Sequence, residues 1–125
     1  FSNFAYYDTI EQYEIIELAV TIFQNVGIKR CIDKIDILKN YQIYFEICKV
    51  IFPQTMIQLL RFSEGSQTNA LKIQGVIDIV GKILQNDLYH ISGEAIAEGK
   101  LSHIRNFLHI LELLSENVHK GNRNE

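Results

Sequence analysis

The stretch from residue 101 to residue 117, LSHIRNFLHILELLSEN, restricts the fold more than any other part of the chain. Leu101, Ile104, Leu108 and Leu111 recur at steps of three, four and three residues, and Phe107, Ile110 and Leu114 widen the stripe. That period places one apolar face along an α-helix, whereas a strand would alternate every second residue. The same spacing returns elsewhere. Ile10, Tyr13, Ile16, Val20 and Phe23 predict a helix from about Thr9 to Asn25. Tyr44, Ile47, Cys48 and Ile51 predict one over Tyr41–Ile51, and Leu71, Ile73, Val76, Ile77, Val80, Ile83 and Leu84 predict another over Asn69–Leu84. A single proline and seven glycines in 125 residues leave few interruptions, so the sequence predicts an all-α fold.

Local signals set the expected boundaries. Asp8 with Glu11 three residues on reads as a capping box, which leaves residues 1–8 as an irregular arm. Gly27 suits the left-handed residue that stops a helix. Residues 28–40, IKRCIDKIDILKN, read as a short helix or turn-rich connector with Ile32, Ile35 and Leu38 in register. Asn40 caps the next helix, and Pro53 ends it by pushing Phe52 out of the helical region. Gln54 to Phe62 should form a helical turn or two with Met56, Leu59 and Leu60 inward. SEGSQTN at 63–69 reads as a loop, and HKGNRNE at 119–125 as a frayed tail. Gly75 and Gly81 each cost about 1 kcal/mol against alanine inside a helix, which suggests close packing against a neighbouring helix. One domain, 9–118, is expected, and a start at Phe1 rather than methionine is what a fragment would show.

Bulk properties narrow the function classes. A net charge of -3 lacks the field that draws a chain to nucleic acid, so no nucleic-acid partner is expected. No apolar run approaches the roughly 18 residues that span a bilayer, so no membrane partner is expected either. Two cysteines, Cys31 and Cys48, are too few for a disulfide framework and read as small core residues of a reduced, intracellular protein, with a single disulfide left open.

The one stretch that invites chemistry is ISGEAIAEGKLSHI, residues 91–104. A phosphate-binding loop needs four residues between its glycines and a Ser or Thr after the lysine. Here five residues separate Gly93 from Gly99, Leu101 follows Lys100, and Glu94 and Glu98 would repel an anion. The expected reading is architectural: Ser92 caps a one-turn helix, GEAIA, that buries Ile91 and Ile96, and Gly99 reverses the chain. His90, His103, His109 and His119 lack zinc-ligand spacing, with His103 and His109 on opposite sides of one helix. Glu11, Glu14 and Glu17 fall on the expected wet side of the first helix, and no G-x-S-x-G is present. No catalytic residue, cofactor or metal is therefore expected, and an enzyme or nucleotide-binding protein is the disfavoured alternative. The candidate contacts for an acidic partner are Lys29, Arg30 and Lys34, crowded with Lys39, and Lys100 and Arg105 near the start of the last helix.

Two segments carry a resemblance. ISGEAIAEGKLSHIRNFLHILELL is similar to the final part of calponin-homology (CH) domains, with Ile91, Ile96, Gly99, Ile104, Leu108 and Leu111 at the recurring positions. KIDILKNYQIYFEICKVIFP resembles the family segment in which an apolar-Asp turn leads into a helix ending near a proline, through Ile35, Tyr44, Ile47, Ile51 and Pro53. The run His103-Ile104-Arg105-Asn106-Phe107-Leu108 echoes the divergent NN-CH type, found at the N-termini of centrosomal and ciliary coiled-coil proteins. The resemblance covers about residues 9–118 and implies a bundle of about four main helices plus short connecting helices. It further implies a non-enzymatic interaction module of a centriole, basal body or ciliary scaffold. Its expected partners are other centriolar or ciliary proteins, or tubulin, with a homodimer through an adjoining coiled coil as a further expectation. Actin-binding CH domains usually carry buried tryptophans; this chain has none, which argues against actin.

Overall fold

The computed structural model describes the backbone of residues 2–62 and 67–123, and the side chains of 9–57 and 67–118. Among the described residues the fold is all-α. Six α-helices follow in order: α1 (Ser2–Val26), α2 (Tyr41–Ile51), α3 (Pro53–Phe62), α4 (Asn69–Leu84), α5 (Gly93–Ala97) and α6 (Leu101–Arg123), with a 3-10 turn at Ile35–Lys39 before α2.

α1 is longer than its expected capping box allows. Its backbone is already helical at Ser2, so residues 2–8 are helix rather than an irregular arm. No proline or glycine interrupts them, and a helix held by packing further along propagates through such a segment at little cost. Its C-terminal stop is as expected: Gly27 adopts φ 77° and the Ile28 amide donates to the Phe23 carbonyl at 2.9 Å.

The core takes one face from each long helix. Ile15, Ala19, Ile22 and Phe23 of α1 meet Ile43, Tyr44, Ile47 and Cys48 of α2, Ile73, Val76, Ile77 and Val80 of α4, and Ile104, Phe107, Leu108 and Leu111 of α6. Burying each such side chain contributes roughly 1.5–3 kcal/mol of transfer free energy, set against the entropy of ordering it. α2 touches α1, α3, α4 and α6 and so lies centrally. Its Tyr44 ring sits 5.4 Å from that of Phe107, and its buried hydroxyl donates to the Leu38 carbonyl, which ties the 3-10 turn to α2. α1 and α6 run in the same direction. Arg105 Nη1 meets Glu11 Oε1 at 2.6 Å in the first half of each helix, and further along both helices Asn25 Nδ2 donates to the buried Ser115 Oγ at 3.0 Å.

The inward faces depart from expectation in two helices. In α1 the buried stripe is Ile15, Ala19, Ile22 and Val26, and of the expected stripe only Phe23 is buried; Ile10 and Tyr13 are 39% and 64% exposed. The 4-3-4 spacing of the true stripe was present in the sequence beside the other, and the small Ala19 suits the close approach of a neighbouring helix. In α4 the middle of the stripe is buried, but Leu71 lies on the opposite side, 57% exposed, and Ile83 and Leu84 overrun the core at the helix end. Gly81 packs against the returning chain and not against another helix: a Cβ there would lie 2.9 Å from the Asn86 carbonyl oxygen. α3 occupies ten residues, beginning at Pro53, because the proline ring that pushes Phe52 out of α2 also carries a fixed φ that suits the first position of a new helix. Met56 is buried; Leu59, Leu60 and most of the expected loop at 63–69 fall outside the described side chains. α6 continues past its expected end to Arg123, so residues 119–123 are helical where a frayed tail was expected.

Asn40 caps α2 as expected, its side chain accepting from the Gln42 amide at 3.0 Å. A second polar side chain ties α2 to α4. Asn69 accepts from the Tyr41 amide at 2.8 Å and donates to the Lys39 carbonyl at 2.7 Å. Removing this clamp in Asn69→Ala is expected to cost about 1–2 kcal/mol. Thermal unfolding followed by circular dichroism should show Tm lowered by several degrees; an unchanged Tm would mean that water replaces both bonds without loss.

Candidate interaction surface

The glycine corner at 91–100 is built from the inside. Ser92 caps α5, its Oγ accepting from the Ala95 amide at 3.2 Å. The Ser92 amide donates to His103 Nδ1 at 3.1 Å, and the Gly93 amide donates to Gln74 Oε1 at 2.8 Å. The amides that a phosphate would require are thus engaged by side chains of this chain. Space is also absent at Gly93. A Cβ there would lie 2.4 Å from the Ala70 carbonyl oxygen and 2.5 Å from the Gln74 nitrogen, so α4 and α5 touch backbone to backbone. Gly99 adopts φ 86°, and the Lys100 amide donates to the Ala95 carbonyl at 3.0 Å, which turns the chain into α6. Ile91 and Ile96 are buried beneath the corner, as expected.

The other candidate groups resolve individually. His103 is an acceptor at Nδ1 and therefore carries its proton at Nε2 in this arrangement. His109 is exposed beside Glu112, at 3.9 Å. His90 is exposed, and the His119 side chain lies outside the described residues. Among the described residues no three His, Cys, Asp or Glu side chains converge as a metal site would need. Both cysteines are free thiols. Cys31 is exposed, and burial pushes the Cys48 thiol up to about 12, which keeps it from acting as a nucleophile near neutral pH. Glu14 and Glu17 are exposed as expected, but Glu11 is half-buried against Arg105 and does not lie on the wet face.

The five candidate cations do not form one patch. Lys29, Arg30 and Lys34 stand on the connector after α1, and Lys100 and Arg105 at the glycine corner. Arg30 pairs with Glu46 at 3.4 Å, Lys100 with Glu98 at 3.6 Å, and Arg105 with Glu11 at 2.6 Å. Lys29 and Lys34 are exposed and make no ion pair among the described residues. What the fold does bring together is Lys39 and Lys100, which line one cleft of about 580 Å³ with Glu11 and Ser102. The Lys39 stem lies over Gly99, where a Cβ would be 2.6 Å from its Cε, while its Nζ reaches Asp36 at 3.0 Å. Each cation at this corner has its own carboxylate, so the corner presents little net positive potential.

A surface that was not expected lies along α1. A stripe at the margin of the core, with Tyr13 exposed and Ile16 and Val20 half-buried, lines with the buried Ile32 of the connector a groove of about 480 Å³, together with Glu17 and Thr21. The helical period of Tyr13, Ile16 and Val20 predicts a core stripe; the period reports a face, and the identity of what covers it is not encoded there. No helix among the described residues is long and apolar enough to cross a membrane. No family model, curated protein or solved structure matches the chain.

Proposed function

We propose that the chain is a non-enzymatic protein-interaction module of the calponin-homology-like, NN-CH kind, belonging to a centriole, basal body or ciliary scaffold and nearest in type to the ninety-five-kilodalton centrosomal protein. The helical order supports the reading. Four longer helices, α1, α2, α4 and α6, are joined by the shorter α3, α5 and the 3-10 turn. The segments that carry the resemblance fall on the 3-10 turn with α2, and on α5 with α6. The observation that carries the interaction role is the second apolar stripe of α1. An exposed Tyr13 beside Ile16, Val20 and Ile32 offers an aromatic anchor in an apolar groove, the form that helix-in-groove recognition takes. Three polar groups at and near the glycine corner hold the fold: Ser92 caps α5, His103 accepts from the Ser92 amide, and Glu11 holds Arg105.

Direct tubulin attachment is the second reading, favoured by Lys29 and Lys34 standing exposed, and without ion pairs among the described residues, on the connector that supplies Ile32. One pair of measurements tests both. The fluorescently tagged chain should concentrate at centrosomes or basal bodies, and Val20→Glu should disperse it while leaving Tm within a few degrees. A wild-type chain spread evenly through the cell removes the scaffold reading. Pelleting with microtubules at low salt, lost as salt rises and lost in Lys29→Glu/Lys34→Glu, would shift the assignment to tubulin.

A further inference from the structure

A different cleft, of about 680 Å³, runs along α4 and is walled by the chain returning from its C-terminus. That volume lies within the roughly 300–1,000 Å³ of small-ligand sites. Backbone geometry fixes its shape. Gln85 ends α4 in the left-handed region at φ 55°, where its amide caps the Gly81 and Lys82 carbonyls. The Asn86 amide then donates to the Gly81 carbonyl at 3.0 Å, a close approach that Gly81 permits by lacking a Cβ. Leu88 is buried and anchors the wall, and the Ile91 amide closes the turn on its carbonyl at 2.9 Å. Tyr89, one residue beyond that anchor, is 89% exposed. A ring held so fully in solvent on a pinned backbone gains nothing from the core.

The polar groups of this cleft have a definite sign. Asp78 and Asp87 are exposed and make no ion pair among the described residues; Asp78 Oδ1 accepts only from Gln74 Nε2, at 2.8 Å. Lys82 shares the same face of α4 yet closes no ion pair with either carboxylate. The side-chain amides of Gln85 and Asn86 each add a carbonyl acceptor and an N–H donor and leave the sign of the charge unchanged. Two carboxylates against one flexible ammonium disfavour an anion, and a wholly apolar ligand would desolvate the same carboxylates without compensation. A planar cation suits all of the parts together: a guanidinium forks onto carboxylate oxygens while its flat face stacks on a tyrosine ring. We infer that this cleft receives an arginine side chain presented by a partner protein, with Asp78 and Asp87 taking the charge and Tyr89 covering the guanidinium. The inference stands on this cleft alone and does not depend on the role assigned to the α1 groove.

The test is a titration of the isotope-labelled chain, followed by amide chemical shifts, with the peptide acetyl-Gly-Arg-Gly-amide and its citrulline counterpart, which keeps the shape and loses the charge. The arginine peptide should shift the amides of Asp78, Lys82, Gln85, Asp87 and Tyr89 saturably. The citrulline peptide should bind at least about tenfold more weakly. Asp78→Asn/Asp87→Asn and Tyr89→Ala, all at exposed positions, should each weaken the arginine peptide by about tenfold with Tm unchanged, and Lys82→Ala should tighten it. Equal binding of the two peptides, or shifts spread over acidic residues elsewhere without saturation, would overturn the proposal.

Discussion

Ile104→Asp abolishes the cooperative unfolding transition of this domain; that is the expected result of placing a carboxylate where α6 meets the core. Ile104 is fully buried, in one cluster with Phe107, Leu108 and Leu111. The nearest cation in sequence, Arg105, is already committed to Glu11 at 2.6 Å on a different side of the helix. A new carboxylate would therefore be buried without a partner, at a cost of several kcal/mol in folded proteins. Total stability for a domain of this size is about 5–15 kcal/mol, so the loss takes most or all of it. Thermal circular dichroism should show no sigmoidal melt, whereas Ile104→Val, which removes one methylene, should keep the transition and lose only about 1 kcal/mol. A well-folded Ile104→Asp with near-native Tm would mean that the inward face of α6 has been assigned wrongly.

Gly93→Ala should be the most damaging small substitution outside the apolar core. The added methyl would meet backbone atoms of α4 at 2.4 and 2.5 Å, distances that no side-chain rotation relieves. Either α5 moves off α4, which breaks the Gly93 amide bond to Gln74, or the start of α4 distorts. A loss of about 3 kcal/mol is expected, visible as a lower urea midpoint at constant slope. Gly27→Ala is the matched control. There the added methyl meets nothing within 4 Å, and only the left-handed φ of 77° is penalised, at about 1 kcal/mol. If the two variants proved equally mild, the corner would have room to spare, and an anion bound at its amides would again be a candidate.

These two variants probe the parts of the molecule with the plainest signature in the sequence. The caps at Asn40 and Ser92, the reversals at Gly27 and Gly99, the bounds of α2 and α4 and the seam of α6 all follow from short-range chemistry. Each depends on residues within a few positions of one another, so no knowledge of the rest of the chain is required. The glycine corner was legible for the same reason, since the five-residue spacing, Leu101 after Lys100 and the nearby Glu94 and Glu98 all argue against a phosphate loop. The interaction surface was less so. Tyr13, Ile16 and Val20 have the same period as a core stripe, and they differ from Ile15, Ala19 and Ile22 only in what packs upon them. The crowding of Lys29, Arg30, Lys34, Lys100 and Arg105 did not show which would be neutralised, because Glu46 and Glu11 reach Arg30 and Arg105 from distant positions in the chain.

The sequence by itself determined that this chain is helical, where most of its helices begin and end, and which face of α6 is buried, because periodicity and capping act over one or two turns. Only the tertiary structure decided which of α1's two apolar stripes lies inward, that α1 and α6 run side by side in one direction, and that Asp78, Asp87 and Tyr89 line one cleft. Those outcomes depend on which surfaces cover one another, and burial is a property of the whole packed chain that no single segment encodes.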